Sequence, residues 1–181
     1  MGMSKKAIAI ESKERIVKSL FELLGKDSYK DITISEIAAG ARVDRRTFYR
    51  HFKTKEDVIA CYMKATAHEY EDLLVGHNTF DNLAIATSFF GACYKHRTEL
   101  LLLIKQNLSH LLLVEMEKVF VKYQSKFASA EELNHPNREY ILAYHIGGFW
   151  NIMVKWLSSG QKQSVQEMAE IVGLNIHIGQ I

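Results

Sequence analysis

Residues 33–57 read TISEIAAGARVDRRTFYRHFKTKED, and this stretch decides the fold. Thr33 followed three residues later by Glu36 is a capping box: the hydroxyl can accept the Glu36 amide while the carboxylate reaches back to Thr33. Behind it, Ile34, Ile37, Ala38 and Ala41 fall on one face at helical spacing. The alanines keep that face thin, so neighbouring helices can approach closely. Asp44 is placed to cap a third helix from Arg45 to about Phe52, with Phe48 and Phe52 (i, i+4) turned inward. Thr54 with Asp57 repeats the capping signal and opens a fourth helix that can run through Val58, Tyr62, Ala65 and Glu69 to about Val75. Two short amphipathic helices joined by a tight turn, the second with a basic outer face, make a helix-turn-helix.

Outward from this unit the chain reads as helices throughout. A first helix is expected from about Ser12 to Gly25, with Ile16, Leu20, Phe21 and Leu24 in a stripe. Beyond Gly76, Asn78 or Thr79 is a candidate cap for a helix reaching Tyr94, followed by helices over Arg97 to Leu108 and Ser109 to about Phe127. Pro136 suits a first helical turn, and from there to about Ser158 the sequence is strongly apolar. Ser164 and Glu167 form a further capping box, opening a last helix with Val165, Met168, Val172 and Ile176 in a stripe. The expected architecture is all-α: a three-helix head over residues 1–60, joined by a long fourth helix to a helical body over residues 61–181. With no linker in between, the boundary falls within a shared helix near Cys61 to Ala67.

The bulk properties fit a folded domain. Of 181 residues, 48% are hydrophobic and 24% charged, with one proline and ten glycines, which argues against disorder. The longest aliphatic run, Leu100 to Ile104, is far too short for a bilayer. Glu11 interrupts the amino-terminal stretch before a signal-peptide core can form. Lys6 stands where a myristoylation motif needs Ser or Thr. Cys61 and Cys93 have no metal-type spacing and read as reduced thiols, so a cytoplasmic location is expected. The net charge of +2 conceals a split. Residues 1–64 hold 14 Lys and Arg against 9 Asp and Glu, and the rest 9 against 12. A basic head on a slightly acidic body suits a nucleic-acid partner for the head alone.

The outer face of the third helix carries the chemistry. Arg45 and Arg46 lie in its first turn, from which a side chain reaches furthest into a major groove, and arginine pairs bidentately with guanine. Thr47 can touch a thymine methyl or a phosphate. Tyr49, Arg50 and His51 offer donors to phosphate oxygens at the groove edge. Lys55 and Thr33 lie at the amino ends of the fourth and second helices, where the dipole favours an anion.

On these residues the segment ITISEIAAGARVDRRTFYRHFKTKEDVI resembles the DNA-binding segment of the TetR/AcrR family of bacterial transcriptional regulators. Thr33, Ile37, Ala38, Ala41, Val43, Thr47, Phe48, Tyr49, His51, Phe52 and Lys55 carry the likeness, which covers about residues 12–60. The resemblance implies that the third helix reads operator DNA and that the tyrosine, histidine and lysine at these positions anchor phosphates. Two positions depart from the usual pattern: Arg42 stands where a turn glycine is common and Asp44 where serine is. Asp44 still caps, but Arg42 demands a turn geometry that a non-glycine tolerates.

A lone helix-turn-helix buries little DNA, so a dimerising body is expected, with two heads on one face of a duplex. Tyr144, Gly147, Gly148 and Ile152, with Val165, Met168, Val172 and Ile176, are the candidate dimer face. It resembles the carboxyl-terminal helix pair through which the TetR family dimerises. Phe89, Phe90, Tyr94, His96, His110 and Tyr123 fall where family members often hold an inducer, although aromatics at this spacing equally build a core. The expected function is a homodimeric repressor that leaves a palindromic operator when a small-molecule effector rearranges the body. The alternative is a dimeric TetR-like adaptor or coactivator acting through a protein partner without an inducer. No catalytic motif, cofactor motif or metal-ligand spacing appears, so no enzyme, cofactor, metal or membrane partner is expected.

Overall fold

The computed structural model describes residues 4–75, 82–127 and 134–175. The described residues are helical, with no strand among them. Helices α1 (Lys5–Leu24), α2 (Ile34–Gly40) and α3 (Arg45–His51) form the head, and α4 (Lys55–Val75) leads out of it. The body contains α5 (Asn82–Lys95), α6 (Arg97–Lys105), α7 (Ser109–Phe127), α8 (Arg138–Ser158) and α9 (Val165–Asn175). No described helix is long and apolar enough to cross a membrane.

Helix α1 begins about two turns earlier than its sequence suggests. Ser4 caps it by accepting the Ala7 amide at 3.2 Å. Ser12, near which the sequence puts the start of the helix, donates back to the Ile8 carbonyl at 2.7 Å in mid-helix, a bond that serine makes inside helices. The inner face of α1 is the expected one: Ile16, Leu20, Phe21 and Leu24 are buried. They meet Ile37, Ala38 and Ala41 from α2, Phe48 and Phe52 from α3, and Val58 and Ile59 from α4.

Four helices carry the expected caps. Thr33 and Glu36 close the capping box on α2, Asp44 accepts the Thr47 amide on α3, and Asp57 holds the Lys53 and Thr54 amides ahead of α4. Ser164 and Glu167 do the same for α9. Pro136 lies two residues before α8, which Asn137 precedes as the N-cap position. The caps suggested at Asn78 and Thr79 lie outside the described residues.

In the body, α9 packs along α5, α4 packs on α5 and α7, and α8 meets α6 and α7. The core there is aromatic. Phe89 meets Phe90 at 5.2 Å and Phe149 at 5.1 Å between ring centroids, and Phe90 meets Trp156 at 5.5 Å, all edge to face. This is the favoured arrangement of ring quadrupoles.

The turn between α2 and α3 settles the question raised by Arg42. Val43 donates to the Ala38 carbonyl and Arg42 to the Ala39 carbonyl, each at 3.0 Å. That pair of bonds is a Schellman motif, whose C′ residue must be left-handed. Arg42 takes that conformation with φ 54°, at a cost of about 1–2 kcal/mol for a residue with a Cβ. Its side chain is exposed. Arg42→Gly is therefore expected to raise stability by about 1 kcal/mol and Tm by about 2–4 °C at this chain length. Thermal denaturation followed by circular dichroism checks this, and an unchanged or lower Tm would contradict it.

Candidate nucleic-acid interface

The basic face of α3 exists because its opposite face is fixed. Phe48 is fully buried and Phe52, at the C-cap, nearly so, their rings 6.0 Å apart. With those rings facing α1 and α2, Arg45, Arg46, Tyr49 and Arg50 are left exposed on one short helix. The Arg45 guanidinium lies 6.0 Å from the centre of the Tyr49 ring, so these two expected contacts stand side by side. Thr47 is half-buried behind them. The Asp44 carboxyl is held below its usual range by the Thr47 amide and hydroxyl, with Arg50 and Arg46 adding to the effect. A fixed anion therefore sits at the start of α3. It caps the helix and also repels a phosphate placed close to it.

His51 is half-buried. Its Nε2 is inaccessible and has no hydrogen-bond partner, which leaves Nδ1 as the ring nitrogen a phosphate could reach. Burial lowers its pKa, and the charges of Arg50 and Lys13 lower it further. At neutral pH the imidazole is thus uncharged, a hydrogen-bonding group rather than a cation.

Two residues expected to hold phosphates are engaged elsewhere. The Thr33 hydroxyl donates to the Glu36 carboxylate at 2.7 Å while accepting the Glu36 amide at 3.2 Å. Its proton is spent inside the capping box, and the anion at the start of α2 is the chain's own. Lys55 folds back under the head. Its ammonium donates to the Tyr29 carbonyl at 2.7 Å and the Ile32 carbonyl at 2.6 Å, and lies 4.3 Å from the centre of the Tyr29 ring. In this arrangement Lys55 fastens the α1–α2 connection and does not project toward solvent as a free cation.

That connection holds residues which the sequence does not single out. The Tyr29 hydroxyl donates to the Glu56 carboxylate at 2.5 Å, and this bond lowers the Glu56 pKa. From the body, Gln106 at the end of α6 reaches the same loop. Its Oε1 accepts the Tyr29 amide at 3.1 Å, and its Nε2 donates to the carbonyls of Leu24 at 3.2 Å and Asp27 at 3.0 Å. A second junction ties α4 to the α5–α6 turn: the Tyr62 hydroxyl meets His96 Nδ1 at 2.9 Å, and His96 Nε2 meets Glu69 at 3.1 Å.

The residues suggested for an effector pocket are mostly not brought together. Phe90 is fully buried against Trp156. Tyr94 is 45% exposed beneath the Arg97 guanidinium. His110 is exposed, His96 belongs to the junction just described, and the Tyr123 side chain lies outside what the structure describes. Only Phe89 reaches a cavity. That cavity is about 50 Å³, enclosed by α4, α5, α6, α7 and α8, and its lining includes Met63, Tyr70, Met116, Met153 and the carboxylate-bearing Glu115. Helical spacing marked aromatics that fill the core, whereas the void is lined largely by methionines and small side chains.

The candidate dimer face divides in the same way. Met168 and Val172 are buried inside the subunit, and Val165 and Ile152 pack against its core. These four side chains are therefore not an open surface: the α9 stripe covers α5. Ile176 lies outside the described residues. On α8, by contrast, Tyr144 is 74% exposed and Tyr140 69%. Among the described residues nothing lies within 4 Å of where a Cβ would stand on Gly147 or Gly148, so no described helix of the same subunit explains these glycines.

Comparison with known proteins agrees with the fold and with the head. Residues 16–60 match the family described as bacterial regulatory proteins, tetR family, and residues 83–177 match the transcriptional regulator C-terminal region. The uncharacterized HTH-type transcriptional regulator YerO of Bacillus subtilis (strain 168) is 41% identical over 49 residues. That stretch is 27% of this chain and 17% of the relative. Among solved structures, a tetR-family transcriptional regulator from Streptomyces coelicolor superposes with a TM-score of 0.60 at 16% identity, covering 88% of this chain and 78% of that one. The dihydroxyacetone kinase operon activator DhaS gives 0.57 at 18% identity, over 90% and 92% of the two chains. The fatty acid degradation regulator FadR from Bacillus halodurans gives 0.60 at 14%, over 96% and 95%. With its head and most of its body matched in this way, the chain belongs to the TetR family of bacterial transcriptional regulators, whose amino-terminal helix-turn-helix is a DNA-binding unit.

Proposed function

We propose that this chain is a homodimeric repressor that binds a palindromic operator through α3 and is released by a small-molecule effector held in the body. The carrying observation is the exposed set Arg45, Arg46, Tyr49 and Arg50 on a helix whose other face is locked by Phe48 and Phe52. Arg45, Arg46 and Thr47 read base edges; Tyr49, Arg50 and His51 hold phosphates. The second copy docks along α8, where Tyr140 and Tyr144 are exposed and the glycines at 147 and 148 leave room for close approach. Each of those glycines costs its helix about 1 kcal/mol relative to alanine, and contact with another subunit is the compensation this reading supplies.

The test separates reading from anchoring. On an operator selected from a random duplex pool, Arg45→Ala and Arg46→Ala should each lose about 1–3 kcal/mol of discrimination at one base pair. Tyr49→Phe and Arg50→Ala should weaken operator and random DNA alike. Removing the Arg50 charge should also reduce the slope of log affinity against log salt by about 1. Anisotropy titrations at several salt concentrations measure both quantities. Equal losses on operator and random DNA from all four variants would defeat the division of roles.

The sign of regulation has a second reading. DhaS, whose fold runs along 90% of this chain, is described as an operon activator, and a body cavity of about 50 Å³ leaves little room for an effector. In this reading the chain is an adaptor whose body meets a protein partner. A reporter whose expression falls when the gene is deleted would favour it.

A further inference from the structure

Among the described residues three that carry a Cβ take a left-handed backbone: Arg42 at φ 54°, Asn107 at φ 57° and Gln161 at φ 52°. Two of them have an internal reason. Asparagine enters this region more readily than most residues, and the Gln161 side chain donates to the Leu157 carbonyl at 3.1 Å. Arg42 has neither. Its amide holds the Ala39 carbonyl, but among the described residues its guanidinium makes no hydrogen bond, ion pair or ring contact. The cations that act on the nearby Asp44 carboxyl are Arg50 and Arg46, so Arg42 is not there to neutralise it. Strain with no return inside the fold gathers where a protein meets its ligand.

The turn lies on the open side of the head. Arg42 is exposed, as are Asp44, Arg45 and Arg46 after it and Ala39 and Gly40 before it. The last two are too small to hold an approaching duplex away. Arg42 stands three positions ahead of Arg45, the first residue of α3, at the rim of the exposed arginine set. From a rim a guanidinium meets the sugar–phosphate backbone, which takes half to two-thirds of all protein–DNA hydrogen bonds. A further cation is also needed on this face. The Thr33 hydroxyl and the Lys55 ammonium are engaged within the head, and Asp44 adds an anion that repels phosphate.

We infer that Arg42 is a phosphate anchor: the turn between α2 and α3 tolerates a strained arginine because its guanidinium pairs with the backbone of bound DNA. This rests on the reading that α3 faces DNA, and it adds a contact outside that helix.

The test separates strain from charge at one position. Arg42→Gly removes both, Arg42→Ala keeps the strain and removes the charge, and Arg42→Lys keeps both. In thermal denaturation only Arg42→Gly should gain Tm. Binding should follow a different order. Anisotropy of a labelled random-sequence duplex titrated with the full-length protein, at several salt concentrations, reads it. Arg42→Gly and Arg42→Ala should each bind about tenfold more weakly, the scale of a charge-assisted hydrogen bond. Both should lower the slope of log affinity against log salt by about 1. Arg42→Lys should keep the slope and most of the affinity. The slope counts ions released from phosphates, which a merely structural role does not move. Arg42→Gly or Arg42→Ala with unchanged affinity and slope overturns the inference, as does Arg42→Lys losing the slope. If those variants bind normally while Arg50→Ala does not, Arg42 drops out and the DNA reading of α3 stands. If the unaltered protein leaves the duplex unbound, both fall.

Discussion

Alanine at Phe48 is expected to abolish DNA binding although Phe48 touches no DNA. The ring is fully buried at the meeting point of α1, α2 and α3, with Phe52 and Tyr49 as ring neighbours at 6.0 and 5.7 Å. Truncating a buried phenylalanine costs about 3–5 kcal/mol through lost transfer energy and the cavity left behind. A domain holds only about 5–15 kcal/mol in all. Helix α3 has 7 residues, too few to persist in water without its packed face, so the exposed arginines lose their arrangement when the ring goes. Chemical denaturation followed by circular dichroism gives the stability loss, and anisotropy with duplex DNA gives the loss of affinity. A loss below about 1 kcal/mol with unchanged binding would mean that α3 is held by something other than its apolar underside.

Phe48 was readable from the sequence for the same reason that it matters: its partner Phe52 lies four residues away, and the Asp44 cap fixes the helix register. Signals with partners three or four residues distant were legible throughout, from the Thr33–Glu36 box to the Ser164–Glu167 box. The start of α1 shows the limit of that logic: the apolar stripe begins at Ile16 and places the start near Ser12, whereas the helix runs back to the Ser4 cap and the Ser12 hydroxyl bonds Ile8 in mid-helix. Periodicity located the α9 stripe but could not say what covers it. Met168 and Val172 face α5, not a second subunit, and either outcome writes the same pattern. Of the α5 aromatics, Phe89 lines the cavity while Phe90 is buried against Trp156 and Tyr94 is largely exposed, three outcomes that helical spacing alone does not separate. The roles of Lys55 and Gln106 were not legible. Their partners lie 23 to 82 positions away, a pairing that only the folded chain creates.

Gln106→Ala is expected to loosen the tie between α6 and the α1–α2 loop while leaving head and body folded. The single side chain satisfies the Tyr29 amide and the carbonyls of Leu24 and Asp27, so it closes the end of α1 and the following loop at once. Three hydrogen bonds at about 0.5–1.5 kcal/mol each bound the loss, and water recovers part of it because the site is only partly buried. Tyr29 makes the loss consequential. Its carbonyl and ring hold Lys55, and its hydroxyl holds Glu56, both in the first turn of α4. A shift at the end of α6 therefore reaches the base of α4 through one residue. Without the Gln106 side chain the Tyr29 amide opens to solvent, and its hydrogen exchange should accelerate about tenfold or more, the rate equivalent of about 1.4 kcal/mol. Amides in the α5 and α9 interior should stay protected. Any ligand that lowers DNA affinity through the body should lose most of that effect in the variant, since coupling energies between sites run to only about 1–3 kcal/mol. If Tyr29 exchanges at its original rate, the loop is held by Lys55 and Glu56 alone, and the path from α6 to the head does not pass through Gln106.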